Sequence, residues 1–410
     1  MAPGQRPSTA RDLGLMPADA ADGRGSVTLE NWQTAPGNRW SYQHVREIIP
    51  SARIDRGDVP VTELPANPRG VDDITFATTS GAGEKVSAWL ERTYTDGFLV
   101  LDRGGIAAER YFNGMTRRTP HLLQSVSKSM TGALAGALLG QGLLDAVGSL
   151  TDYVPELATT SFAGATVRHL LDMSCGTRFS EDYDDPDSDI RRYESAAGWQ
   201  PAGDADGLDL FGYMLALPNV RPHGQVFEYR SILTDLLGIV LQRAADMRFA
   251  DAMSLFLWGR LGAEHDAEIT VDRRGNPMTD GGLSVTVRDL ARFGQMILQH
   301  GCVDGRQVVP ATWVQDTLEA DEECRRAFAA SDSAIRYPRG HYRNQWWVPD
   351  RERRVLLGAG IYGQTLYVDF DADLVIVKVS SLPVALDLDI SADTLSACRA
   401  IAAALSGTCG

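Results

Sequence analysis

The chain has 410 residues, 44% of them hydrophobic, enough to build one large core or two intertwined ones. Its formal net charge of −15 argues against nucleic acid or an anionic membrane as the main partner. No stretch is long and apolar enough to span a bilayer, and residues 1–25 lack the apolar core of a signal peptide, so a cytoplasmic protein is expected.

The five cysteines, Cys175, Cys302, Cys324, Cys398 and Cys409, are odd in number and form no Cys-x-x-Cys pair. That pattern fits reduced thiols better than a disulfide framework or a zinc site. Positive charge comes from 36 arginines and only three lysines, Lys85, Lys128 and Lys378.

Residues 1–30, rich in Pro, Ala, Gly and Asp, read as a flexible arm. Helical spacing follows over Glu84–Thr93. Two strand-like runs, Phe98–Leu101 and Ile106–Tyr111, flank the turn Asp102-Arg-Gly-Gly105, a hairpin signal. A helix rich in small residues is expected over Lys128–Gly142, suited to tight packing. Residues 143–269 show amphipathic helical stretches at Thr166–Met173, Asp235–Ala245 and Ala252–Leu261, with no strong strand among them. Further helices are expected at Val287–His300 and Pro310–Leu318.

The last third turns β-rich at Asn344–Val348, Val355–Gly358, Gln364–Asp369 and Leu374–Ser380, and a final helix covers about Ala392–Leu405. Two early strands make a poor sheet alone, so they should pair with the late ones. The expected fold is α/β (α+β): an antiparallel sheet flanked by helices, formed from residues 31–133 and 270–410, with a mostly helical insertion over 134–269. A site at the seam between the layers is the natural expectation.

Lys128 stands three residues after Ser125, the one Ser-x-x-Lys match in the chain. Arg keeps its proton at any working pH, whereas a desolvated Lys can lose it and act as a base. One helical turn puts both side chains on the same face. At a helix start the Ser125 N–H is also free to hold a developing oxyanion. Tyr229, in Gly224-Gln-Val-Phe-Glu-Tyr-Arg-Ser231, sits at a loop-to-helix junction, where a phenol beside a lysine can relay a proton. Leu357-Gly-Ala-Gly-Ile-Tyr-Gly-Gln364 is a Gly-rich strand edge able to approach a ligand closely. Each piece alone has a plainer reading: a capped surface helix, a half-buried core tyrosine, an ordinary turn.

Together, in this order, the three pieces resemble the motifs of the serine β-lactamase and penicillin-binding-protein superfamily, especially its class C-like branch. The resemblance extends to the 6-aminohexanoate-dimer (nylon-oligomer) hydrolases through Asn38-Arg-Trp40, Tyr94–Leu101, Ser125–Ser129, Tyr153–Leu157, Glu181-Asp-Tyr183, Ala197-Gly-Trp199, Gly281-Gly282, Gln345-Trp-Trp347 and Gly360-Ile361. It implies a β-lactamase/transpeptidase-like fold and a serine hydrolase with no metal or other cofactor. Ser125 would be the nucleophile, Lys128 its base, Tyr229 the proton relay, and the N–H groups of Ser125 and Ile361 the oxyanion hole. Tyr183 falls on a substrate-closing loop tyrosine, Trp347 on a pocket tryptophan, Glu194 on an acid that pairs with the substrate's ammonium, and Asp280 on another pocket position.

Plainer readings stand beside these: Glu194 as a surface charge, Asp280-Gly-Gly as a turn, Trp347 as core. The acidic loop Ser180–Asp189 reads as solvated, and Pro186 with the missing Gly and closing Glu argues against a calcium loop. Two departures matter. Tyr362 replaces the Lys or His that precedes the third-motif Gly, which disfavours β-lactam or D-Ala-D-Ala recognition. Tyr-x-Ser replaces Tyr-x-Asn.

The expected substrate is a small amide or ester, foremost a short linear amide of the ω-amino acid type, and a homodimer is the default assembly. The rival readings are a β-lactamase or D,D-peptidase, and a non-catalytic binding protein of the same fold.

Overall fold

Eight consecutive residues, Thr95–Asp102 (β1), are buried on both faces, the signature of a strand sandwiched between two layers. The computed structural model describes residues 6–18, 23–201 and 207–407 and shows both layers. β1 turns at Arg103 and Gly104 into Gly105–Tyr111 (β2), the expected hairpin. The later strands are His341–Arg343 (β3), Trp346–Val348 (β4), Val355–Gly360 (β5), Gln364–Asp369 (β6) and Leu374–Ser380 (β7). They join the hairpin in one antiparallel seven-stranded sheet, ordered β3-β4-β5-β6-β7-β1-β2. The early strands therefore pair with the late ones, as expected.

Period-two alternation divides the sheet's side chains between two cores. Leu99, Leu101, Val375 and Val377 face one core, together with helices Val126–Gly140 (α1), Ser231–Ala245 (α2) and Val287–Leu298 (α3). Phe98, Val100, Leu374 and Ile376 face the other, closed by Trp89 and the C-terminal helix Leu388–Ser406 (α4). Asp387 accepts from the Ile390 N–H at 2.9 Å, so α4 starts four residues earlier than expected.

α1 is buried along nearly its whole length. Gly132 explains why: a Cβ there would lie 2.3 Å from the Asn344 carbonyl oxygen, so only glycine admits the β3–β4 connection this close.

One expectation needs correction. Residues 143–269 are not free of strand, because Ala267–Thr270 pairs with Ser51–Ile54 and with Leu283–Val285. With His121–Leu122 at its end these make a four-stranded second sheet. Its strands are two to four residues long, too short for alternation to register.

The described part of the N-terminal arm is tied to the body. The Ala10 N–H donates to Asn113 Oδ1 at 2.7 Å, and Arg39 Nε donates to the Ser8 carbonyl at 3.2 Å. No described helix is long and apolar enough to cross a membrane. The described cysteines are all unpaired; Cys409 lies outside the described residues.

Candidate active site

The second sheet aims Ser125. His121–Leu122 pairs with Leu283–Val285, and the Leu123 N–H donates to the Leu283 carbonyl at 2.8 Å. Gln124 then takes a left-handed conformation (φ 46°), which turns the chain sharply and leaves Ser125 at the head of α1.

One turn later Lys128 is 1% exposed. Its Nζ donates to Ser125 Oγ at 2.9 Å, Ser231 Oγ at 2.9 Å and the Asp280 carbonyl at 3.0 Å. Three acceptors for three protons is the environment of an ammonium ion.

Tyr229 lies two residues before α2, and its ring lies 5.0 Å from Lys128 Nζ. Ser125 and Lys128 both favour ionisation of the phenol. Its other face stacks on Trp347, with centroids 5.3 Å apart and planes at 20°. The sequence thus brings the nucleophile candidate, the amine and the phenol into one cluster.

Burial on its own pulls the Lys128 proton affinity down, as expected from the sequence. The negative charge available at Tyr229, Asp280, Glu181 and Asp235 outweighs it and holds the ammonium above the ordinary lysine range. The expectation of a depressed lysine is therefore corrected: its partners hold the Lys128 proton. Burial also raises the Tyr229 phenol, against the pull of the Lys128 charge.

Opposite Ser125 runs the end of β5. A Cβ on Gly360 would lie 3.0 Å from both the Ser125 nitrogen and the Leu123 carbonyl oxygen. Only glycine leaves room there for a substrate oxygen. Among the described residues the Ser125 N–H donates to no backbone carbonyl, and Ile361, next after Gly360, lines the same cavity. Tyr362 follows with φ 60° and is buried edge-on against Tyr42, centroids 5.5 Å apart. Arg191 and Tyr42 pull its phenol down against a larger upward push from burial. The third-motif position therefore offers the cavity no cation.

The cavity holds about 380 Å³. Ser125, Tyr183, Tyr229, Trp347 and Ile361 line it near the cluster, and Leu357, Ala359, Leu382 and Ile390 extend it as an apolar trough beneath α4. Tyr183 is held by Arg191, which donates to its carbonyl at 2.6 Å and stacks over its ring at 5.5 Å.

Glu194 and Asp280 are placed elsewhere. Glu194 is 3% exposed, ion-paired to Arg191 at 2.9 Å and bonded by Gln33 at 3.1 Å. Asp280 turns inward, its carboxylate 3.5 Å from Lys128 Nζ. Asp235 fixes it there by accepting the Asp280 N–H at 2.8 Å. Charge balance around a buried ammonium explains Asp280 better than ligand contact does.

Two residues were missed. Glu181 lines the cavity and accepts from the Ser231 N–H at 2.6 Å, the Ser231 hydroxyl at 2.7 Å and the Tyr183 hydroxyl at 2.9 Å. It thereby satisfies the first open N–H of α2. In the sequence it is one acid among many in the loop Ser180–Asp189, with no local signal that it turns inward. Ser231 was visible only as a departure from Tyr-x-Asn. Among the described residues no cluster of three or more His, Cys, Asp or Glu side chains could hold a metal ion.

A nucleophile candidate at a helix head, an adjoining amine and phenol, and an open strand edge are the parts of an acyl-transfer site. Residues 90–400 match the Beta-lactamase family model, and the chain belongs to that family of serine hydrolases. Within it, the chain is 38% identical over 376 residues to the 6-aminohexanoate-dimer hydrolase of Paenarthrobacter ureafaciens, covering 92% of this chain and 93% of that one. A solved structure from Bacillus anthracis, provisionally named a 6-aminohexanoate-dimer hydrolase, superposes with a TM-score of 0.85 at 28% identity, covering 94% of this chain and 99% of its own. A family VIII carboxylesterase shares the fold at a TM-score of 0.54 and 16% identity, over 74% of this chain and 92% of its own.

Proposed function

We propose that the protein cleaves short linear amides of the ω-amino acid type, and short carboxyl esters beside them, through an acyl-enzyme on Ser125. The observation that carries this is the 2.9 Å contact between Lys128 Nζ and Ser125 Oγ at the wall of a cavity floored by Gly360. Ser125 Oγ attacks the carbonyl carbon, and its proton passes into the Lys128–Tyr229 pair. The N–H groups of Ser125 and Ile361 hold the oxyanion. The same pair then protonates the leaving amine or alcohol, and water attacks the acyl-enzyme with the roles reversed.

Tyr183 and Trp347 contact the substrate from the cavity wall, and the trough beneath α4 suits an unbranched methylene chain. Glu194 acts on Arg191 and Asp280 on Lys128. The unpaired thiols suit a cytoplasmic setting. The 38% identity to a 6-aminohexanoate-dimer hydrolase supports the amide assignment. The Beta-lactamase family match keeps a β-lactam substrate as the second reading, against which stands the buried Tyr362 in place of a cavity cation.

A hydrolysis panel tests the assignment: the linear 6-aminohexanoate dimer, p-nitrophenyl acetate and butyrate, and nitrocefin. Turnover of the first two classes with nitrocefin inert is expected. Turnover of nitrocefin alone overturns it.

A further inference from the structure

The acyl-enzyme reading leaves a gap that the geometry itself exposes. Lys128 has all three protons engaged, so it cannot take a fourth from Ser125 until it gives one up. One of its acceptors leads to a group that can receive that proton. Lys128 Nζ donates to Ser231 Oγ at 2.9 Å, and the Ser231 hydroxyl in turn donates to Glu181 Oε1 at 2.7 Å. The donors run head to tail in one direction. Glu181 Oε2 is fixed by the Ser231 N–H at 2.6 Å, so the carboxylate straddles the head of α2 and cannot swing away from the hydroxyl.

We propose that Glu181 is a positioning residue for the hydrolytic reaction, the proton sink that deprotonates Lys128 through Ser231. Lys128 passes one proton to Ser231 Oγ as the Ser231 hydroxyl passes its own to Glu181 Oε1. The products are a neutral amine, a neutral carboxylic acid and an unchanged serine, with no net change of charge in the site. The amine then accepts the Ser125 proton as Oγ forms its bond to the substrate carbonyl. The relay rests on the acyl-enzyme reading and adds to it the source of the free base.

Burial of Glu181 favours its taking a proton, and its polar neighbours oppose it. Lys128 on α1 stabilises its carboxylate, and the backbone and hydroxyl of Ser231 and the hydroxyl of Tyr183 do the same. Burial outweighs them and holds the acid above the ordinary glutamate range. The other groups facing it are the Tyr229 phenol and the Arg230 guanidinium before α2 and the Tyr342 phenol on β3. A raised glutamate narrows, without closing, the gap to an ammonium that itself holds its proton above the ordinary lysine range. A charged substrate entering the cavity that Glu181 lines would shift that balance directly. Tyr183 donates to the same Oε1 atom at 2.9 Å, so movement of Tyr183 onto a substrate would raise the affinity of Glu181 for the proton further.

The test is the pH dependence of acylation, read from the pre-steady-state burst with p-nitrophenyl acetate. In the parent enzyme the acylation rate falls as pH drops through the elevated titration of Glu181, because only its carboxylate accepts a proton. Glu181→Gln keeps an acceptor for Ser231 but cannot take the proton. It should slow acylation by roughly a hundredfold and remove that acid limb. Ser231→Ala severs the path while leaving Glu181 able to ionise, and should give the same two effects. The double variant should be no slower than the slower single variant, to within about threefold.

A purely structural Glu181 would lower the melting temperature and leave the acid limb in place. Retention of that limb in Ser231→Ala overturns the relay even where Glu181→Gln folds poorly, as does a double variant slowed by the product of the single effects. Ser125→Ala, run alongside, separates the two levels. A burst that survives in Ser125→Ala overturns the acyl-enzyme itself, whereas its loss together with unchanged pH profiles in the other variants overturns only the relay.

Discussion

Two of the three lysines in this chain are buried to the same degree, 1% exposed, on opposite sides of the central sheet. Lys128 meets three hydrogen-bond acceptors and the carboxylates of Asp280, Glu181 and Asp235, and holds its proton more tightly than a free lysine. Lys378, on β7, faces the Trp89 ring at 5.5 Å, donates to the Ser380 hydroxyl, and reaches the Thr93 carbonyl only at 3.5 Å. Burial wins there and pulls it down to about 7, against the counter-pull of Asp96 and Cys398. Desolvation is common to both, and the partners decide the outcome. Low proton affinity by itself therefore does not mark the working lysine. The marker is a serine that lines the cavity together with a hydroxyl path to a carboxylate, which Lys128 has and Lys378 lacks.

The sharpest way to break that contrast is to remove each amine. Lys128→Met should lower kcat/KM on p-nitrophenyl acetate by roughly a thousandfold or more, and Ser125→Ala by at least as much, with both proteins folded by circular dichroism. An active Lys128→Met enzyme would dissolve the distinction. Next in size is Gly360→Ala, whose Cβ would crowd the Ser125 nitrogen from 3.0 Å. It should cost about a hundredfold in kcat, with a smaller fall in melting temperature because the same Cβ crowds the Leu123 carbonyl oxygen.

The contrast also shows what could be read before any coordinates. Composition made Lys128 conspicuous, and the Ser-x-x-Lys spacing supplied its partner. Tyr229 and Ile361 followed from motif order. The central sheet was legible because Leu374–Ser380 and Phe98–Leu101 are continuous β-branched and apolar runs. The second sheet was not legible, since strands of two to four residues carry no periodicity.

Glu181 escaped because an acid in a run of acids gives no sign of burial; only the fold swings it onto the head of α2. For Lys128, burial was foreseeable from a helix of small residues, but its charge state was not. That depends on Asp280 and Asp235, which lie 152 and 107 residues away in sequence (280 − 128 and 235 − 128). The family resemblance sets Glu194 against the substrate's ammonium, and its ion pair with Arg191 becomes visible only in three dimensions.

A smaller effect separates the amide from the ester reaction. Tyr183→Phe removes the hydroxyl that donates to Glu181 and faces the cavity. Departure of an amine needs a proton more than departure of a nitrophenolate does. The variant should therefore lose about tenfold in kcat on the 6-aminohexanoate dimer and under twofold on p-nitrophenyl acetate. Equal losses on both would place Tyr183 in binding alone.

The smallest effect on activity belongs to Lys378→Met, expected within twofold of the parent, and its signature lies in stability instead. A lysine at about 7 in the fold and near 10.5 when unfolded binds more protons in the unfolded chain between those values, so parent stability rises with pH across that window. Below pH 7 the penalty is complete, at most about 5 kcal/mol from a shift of this size, less whatever the Ser380 contact returns. The Met variant lacks that titration. Its melting temperature should exceed the parent's at pH 6 and converge on it towards pH 10. Lys128 carries the opposite sign: its raised affinity stabilises the fold throughout the range below the unfolded lysine value, and that stabilisation is lost only at higher pH. A parallel pH–melting series on Lys128→Met should therefore run below the parent at pH 6, where Lys378→Met runs above it. Two curves displaced in the same direction would mean that burial, rather than partners, governs both amines.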